Sequence, residues 1–225
     1  MLWQLLNSGP TPSADNMAWD EALLEAAPRL GRPVLRFYSW TEPAATFGYF
    51  QKFADVQRMT NLRPLIRRPT GGGLVPHDSD WTYSLAFPHG DPWHKLKAVE
   101  SYRRVHEWIQ SAFALAGLAT GLAPCCRKEA PGQCFIGAEQ FDVLWQGRKI
   151  AGAAQRRTRD GLLIQGSIQP PAGSSRSEFE KSFCDAARQQ WGDEWQALEV
   201  SSALTERVAE LARAKYSRQD YNERR

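Results

Sequence analysis

Cysteine, histidine and long apolar runs are the scarce features of this chain of 225 residues. There are four cysteines, Cys125, Cys126, Cys134 and Cys184, too few and too irregularly spaced to staple a chain of this length with disulfides. A structural zinc site wants paired ligands at short spacing. The four histidines, His77, His89, His94 and His106, do not supply them, so no metal site is expected. No uninterrupted apolar stretch approaches the length that crosses a bilayer, and the apolar start Met1 to Leu6 is too short and lacks the basic flank of a signal peptide. A soluble, cytoplasmic protein with reduced thiols is therefore expected. Internal repeats and low-complexity tracts are also missing, which excludes solenoids and disordered linkers.

The chain does have an ordinary globular balance, 42% hydrophobic and 24% charged. Its formal charge of +3 carries no basic stripe of the kind that grips nucleic acid, and it suits an encounter with acidic protein partners. Nine tryptophans favour a substantial core and an apolar pocket.

Periodicity places a short strand at the start, a polar loop over 7–13, and a helix capped by Asp15 that the segment 28–33 ends. Strands are expected over 34–39 and 44–50. In the segment 81–87, Trp81, Tyr83, Leu85 and Phe87 alternate strictly with smaller residues. A helix over 98–116 stops at Gly117. A hairpin over 141–156 turns at Gln146-Gly147-Arg148, a neighbouring strand covers 162–168, and helices close the chain near 177–190 and 202–216. Strands grouped between helices give an α+β fold with a mixed β-sheet flanked by helices, as one domain over 1–225.

Chemistry is concentrated in few places. Gly71-Gly72-Gly73 follows Arg67-Arg68-Pro69-Thr70. Three consecutive glycines mark backbone that bends sharply or admits a close neighbour, and the exposed amides with two arginines can cradle an anion. The pattern is neither a P-loop nor a dinucleotide fingerprint. His77 lies just beyond. Lys149 re-enters a strand beside the small run Ala151-Gly152-Ala153-Ala154, where an ammonium can hold a carbonyl as charge develops. Cys134 precedes that hairpin, and a thiol near cations can carry an acyl group, although chemistry alone does not select it over the other three cysteines.

Several motifs together resemble those of the biotin/lipoate ligase-like family. They are Asn16-Met17-Ala18, Arg36-Phe37-Tyr38-Ser39-Trp40, Gly48-Tyr49-Phe50-Gln51, the Arg67 to Gly73 loop, His77-Asp78 with Thr82-Tyr83-Ser84, Cys134-Phe135, Gly147 to Gln155, and Gly166-Ser167-Ile168. Within that family they resemble the lipoate-protein ligase A group and its cysteine-dependent octanoyltransferases.

The resemblance implies a biotin/lipoate ligase-like catalytic domain with an acyl tunnel beside the glycine-rich loop. It implies that Lys149 meets the activated carboxyl group and that Cys134 carries the acyl group as a thioester. Arg67, Arg68, Thr70, Gly71, Gly72, Gly73, His77, Tyr38, Tyr49, Gly152 and Ala153 are then expected to bind the acyl substrate. Phe37, Phe47 and Leu74 are further candidates for the tunnel wall, and His77 for the base that deprotonates the acceptor.

The activity implied is transfer of an octanoyl or lipoyl group to the target lysine of a lipoyl domain, without a cofactor. The donor implied is acyl carrier protein. The acceptor implied is a lipoyl-domain protein such as the glycine cleavage H protein or a dehydrogenase E2 subunit. The alternative is a lipoate-protein ligase that uses ATP and magnesium. Two departures bear on the choice: Gly73 matches the ligases' triple glycine, and Gln165 stands where the cysteine-dependent relatives carry His.

Overall fold

In the computed structural model, residues 1–126, 132, 135 and 137–224 are described. Eight strands form one mixed sheet. Its centre is β1 (Leu2–Thr11), β2 (Val34–Trp40), β6 (Trp81–Pro88), β10 (Gly161–Ile168) and β9 (Arg148–Arg157), in that order. β11 (Glu194–Ala197) extends it beyond β1, and β8 (Val143–Trp145) and β7 (Gly121–Leu122) extend it beyond β9. β1 runs parallel to both β2 and β11, whereas the remaining pairs are antiparallel. A second sheet holds β3 (Ala44–Phe47) between β4 (Leu65–Arg67) and β5 (Val75–His77).

The expected α+β class with a mixed sheet flanked by helices is the observed one. One face of the large sheet packs on α4 (Ala98–Leu115) and α5 (Arg176–Trp191), the other on α1 (Ser13–Leu30) and α6 (Ser202–Leu211), while α2 (Phe53–Met59) and α3 (Pro92–Lys95) are short. Both faces of β6 are therefore buried. Trp81, Tyr83, Leu85 and Phe87 go to the α4–α5 side, as their alternation predicts, while Ala86 joins the α1–α6 core. Tryptophans fill the first core: Trp3 meets Phe87 edge-on at 5.4 Å, and Trp108 stacks on Phe183 at 4.0 Å.

Three local expectations differ. The polar segment 7–11 is strand, because β2 alongside it satisfies the backbone. A register shift between Asn7 and Gly9 accompanies Ser8, whose hydroxyl accepts from Arg36 Nε at 2.9 Å. α1 ends within 28–33, as expected, after running through Pro28. The helix closes at Gly31, which takes the left-handed conformation and donates to Ala27 O at 3.0 Å. Asp15 lies in the first turn of that helix rather than at its cap, where its charge still meets the favourable end of the helix dipole. The hairpin turns where expected, but on two residues only, Gln146 (φ 49°) and Gly147 (φ 77°), with Trp145 opposite Arg148.

Candidate acyl-binding site

Between the two sheets lies a cavity of about 460 Å3, counted to its open mouth. Its large-sheet side is built from two strand segments in register, Gly152-Ala153-Ala154 of β9 opposite Ser167, Gly166 and Gln165 of β10. Small residues on β9 leave the space open, which is the physical use of the small run seen in the sequence. Thr46, Val75 and His77 come from the small sheet, Arg68 from the segment after β4, Met17 from α1, Tyr38 and Thr82 from β2 and β6, and Phe135 and Lys149 complete the lining.

Lys149 is nearly buried, and its ammonium lies 2.8 Å from Asp142 Oδ2. Asp142 is fully buried and also accepts from the Glu139 amide at 2.6 Å and from the Tyr102 hydroxyl. A buried ammonium needs such a counter-charge. Gly152 lies directly against this pair: a methyl group placed on it would sit 2.7 Å from Lys149 Cε and 3.2 Å from Asp142 Oδ1. Asp142 emerges from a tight turn in which Phe141 adopts φ 74°, a conformation uncommon for a bulky residue. On the other side, the Lys149 ammonium lies 5.3 Å from the Phe135 ring centre.

The glycine-rich loop is held by Arg68 rather than by solvent contacts. Arg68 is buried, donates from Nη2 to the carbonyls of Gly71 (3.0 Å) and Gly73 (2.7 Å), and donates from Nη1 to Thr46 Oγ1 (2.8 Å). Gly72, with φ 88°, folds over Gly48 so closely that a Cβ on Gly48 would sit 1.9 Å from Gly72 O. Thr70 is buried behind the wall and donates to Gln165 Oε1 at 2.7 Å. Gln165 Nε2 in turn donates to Asp20 Oδ2 at 2.7 Å. Asp20 also receives Tyr38 Oη at 3.0 Å, Ser84 Oγ at 2.6 Å and Arg36 Nη1 at 2.8 Å, all fully buried. Burial beside this carboxylate pushes the Tyr38 phenol well above its usual range, so Tyr38 enters the wall as a neutral donor.

Of the residues expected to bind substrate, Tyr38, Arg68, His77, Lys149, Gly152 and Ala153 line one cavity. Arg67 does not. It is fully buried, stacks on Phe47 at 4.7 Å, and donates to the carbonyls of Tyr49 (2.9 Å), Gln51 (2.7 Å) and Asn222 (2.9 Å). Phe47 and Leu74 belong to a separate small core, and Phe37 packs on Phe183 at 5.8 Å. The tryptophans also build core rather than cavity, although Trp40 backs the site by stacking on His77 at 3.9 Å.

His77 is poorly placed to act as a base. Its Nδ1 lies 2.9 Å from Asp80 Oδ2 and its Nε2 lies 2.7 Å from Thr46 Oγ1, so both ring nitrogens are engaged. Cys134 lies outside the described residues. Phe135, the next residue, lines the cavity, and the Gly132 carbonyl accepts from the Leu74 amide (2.8 Å) and from Gln51 Nε2 (3.0 Å), at the end of the glycine-rich loop. Cys125 and Cys126 are exposed, and burial pushes the half-buried Cys184 thiol up to about 12. Among the described residues, no three His, Cys, Asp or Glu side chains are grouped to hold a metal ion, and no helix is long and apolar enough to cross a membrane.

Asp142, Asp20 and Asp80 were given no role by sequence reasoning, and Met17 entered it only within the motif Asn16-Met17-Ala18. An aspartate seven residues before Lys149, at the opening of the same hairpin, was the available signal for Asp142.

Residues 12–213 match the lipoyl protein ligase A/B catalytic domain, and the chain belongs to that family. It is 35% identical to the octanoyltransferase LipM of Geobacillus kaustophilus over 74% of this chain, and the match spans 65% of that relative's length. Among solved structures, a lipoate-protein ligase A bound with ATP superimposes with TM-score 0.80 at 21% identity, covering 99% of both chains. The bipartite lipoate protein ligase of Thermoplasma acidophilum, described together with its E2 lipoyl domain, superimposes with TM-score 0.77 at 20% identity, covering 99% of this chain and 96% of that one.

Proposed function

We propose that this chain is an octanoyltransferase that moves an octanoyl or lipoyl group from acyl carrier protein to the target lysine of a lipoyl domain through a Cys134 thioester. The observation that carries the reading is the buried Lys149–Asp142 pair, which faces, across a small-residue cavity, the ring of the residue that follows Cys134. The 35% identity to a curated octanoyltransferase supports it independently.

In this cycle the Cys134 thiolate attacks the donor thioester carbonyl. A new C–S bond forms to Cys134 as the donor's C–S bond breaks, and the donor leaves as a thiolate. The neutral acceptor amine then forms its C–N bond as the C–S bond to Cys134 breaks, and its proton goes to the departing Cys134 sulfur or to water. Lys149 supplies positive charge to the carbonyl oxygen in both halves, and Asp142 and Gly152 fix where that charge sits. Desolvation in the cavity strengthens this interaction. The route requires no cofactor. His77 serves here as a wall held between Thr46 and Asp80, not as the base. The lipoyl acceptor is drawn from proteins such as the glycine cleavage H protein or a dehydrogenase E2 subunit, and the reaction takes place in the cytoplasm.

One observation favours the alternative, an ATP- and magnesium-dependent ligase: Gln165 occupies the cavity wall with its amide committed to Asp20 and Thr70 and offers no proton-transfer group. The two readings separate cleanly. A transferase acts on octanoyl-acyl carrier protein without ATP and gains the mass of one octanoyl group on intact mass spectrometry. Cys134→Ala is expected to lose that adduct and at least ~99% of transfer. Full transfer by Cys134→Ala would remove the Cys134 thioester, and activity only with free octanoate, ATP and magnesium would establish the ligase route instead.

A further inference from the structure

We propose that Phe50, Arg156 and Arg224 form the docking face for the acidic carrier domain that delivers the acyl thioester, an inference that rests on the transferase reading. Three observations place a basic and apolar patch beside the cavity. Arg156 follows the wall residue Ala154 by two positions on the same face of β9, about 7 Å along the strand. Its Nη1 donates to Pro69 O at 3.3 Å, the residue that opens into the glycine-rich loop. Tyr49, tied to that loop by its amide at 2.8 Å from Thr70 O, carries the Arg156 guanidinium 5.9 Å and the Arg224 guanidinium 4.3 Å from its ring centre. Phe50 meets the same ring edge-on at 5.1 Å and is 74% exposed.

A single exposed phenylalanine is ordinary, and so is a solvated arginine. Their combination is not. Two guanidiniums are gathered on one tyrosine ring, and among the described residues neither Arg156 nor Arg224 is in an ion pair. Two guanidiniums outside any ion pair among the described residues, with Asp220 and Glu223 beside Arg224, are suited to attracting an anionic partner to the cavity and raising its encounter rate, and an exposed apolar side chain beside them supplies contact area.

The test measures binding of fluorescently labelled octanoyl-acyl carrier protein by anisotropy at low and at physiological salt, for the wild type, Phe50→Ala and Arg224→Glu. Both substitutions are at exposed positions. Binding is expected to weaken at least ~10-fold in each variant, and Arg224→Glu is expected to lose most of the wild type's salt dependence. Turnover of octanoyl-pantetheine, which lacks both carrier and phosphate, is expected to stay within about twofold of wild type. Carrier binding equal to wild type in both variants overturns the proposal, and so does selective loss of binding to the lipoyl acceptor with carrier binding intact. A wild type that binds the carrier through this patch but transfers nothing leaves the docking face standing and removes the transferase reading.

Discussion

Gly152 sits opposite Ser167 in the β9–β10 pair and shares its space with the far end of Lys149. Because that end is flexible, a methyl group at position 152 can be accommodated by moving the ammonium, which spares the backbone but breaks the buried ion pair. The chemistry is less tolerant, since the ammonium would leave its 2.8 Å contact with Asp142 and its place in the cavity wall. Gly152→Ala is therefore expected to fold, with unchanged circular dichroism, and to lose on the order of 10- to 100-fold in kcat, as a misplaced charge in an electrostatic site does. Steady-state transfer kinetics check this, and a kcat within twofold of wild type would show that the reaction does not need Lys149 at this position. Gly166 contrasts with it: a Cβ there would lie 2.1 Å from the Tyr83 ring, which is locked in the core, so the same substitution acts on the fold.

At the scale of elements, α4 is joined to the site through its inner face. Tyr102 donates to Asp142, and one turn later His106 is fully buried with Nδ1 2.8 Å from Tyr102 O. Nε2 of His106 has no hydrogen-bond partner among the described residues. Burial lowers the His106 pKa from 6.5 to about 4; the Asp142 charge and the Tyr102 bond oppose this shift and the Lys149 charge adds to it. The folded chain thus holds His106 neutral at pH values where the unfolded chain already binds the proton. Stability from this source is complete above about pH 6.5 and falls as the pH drops toward 4, by up to ~3 kcal/mol. Urea midpoints measured from pH 7.5 to 5 are expected to decline in the wild type, and the decline should be shallower in His106→Gln. Parallel curves would rule out His106 as the source.

Across the whole molecule, the C-terminal segment closes on the small sheet through one asparagine. Asn222, in the short helix α7 (Gln219–Asn222), accepts from the Arg67 amide at 2.8 Å and donates to Tyr216 O at 2.9 Å and to Arg218 O at 3.0 Å. Arg67, the arginine that the sequence placed with the anion cradle, is the other half of this latch. Asn222→Ala leaves the buried Arg67 amide without its acceptor, a loss of roughly 1–3 kcal/mol. Hydrogen exchange over residues 212–224 should accelerate before the large sheet opens. Unchanged protection there would show that the latch does not hold the segment.

Legibility followed the range of the interaction. The alternation in 81–87, the helix over 98–115 and the two-residue hairpin turn follow from neighbours in sequence, and each appears close to where periodicity puts it. The polar strand at 7–11 was not legible, because the partner strand outweighs local preference. By itself the sequence determined the α+β class, the family, and the candidates Lys149 and the glycine-rich loop, since these rest on local pattern and on motifs in fixed order. Only the tertiary structure decided that Arg68 faces the cavity while Arg67 turns away, that His77 has both nitrogens engaged, and that Asp142 holds Lys149. Each of these depends on which distant backbone or carboxylate lies within 3 Å, and that distance is set by packing the two sheets together.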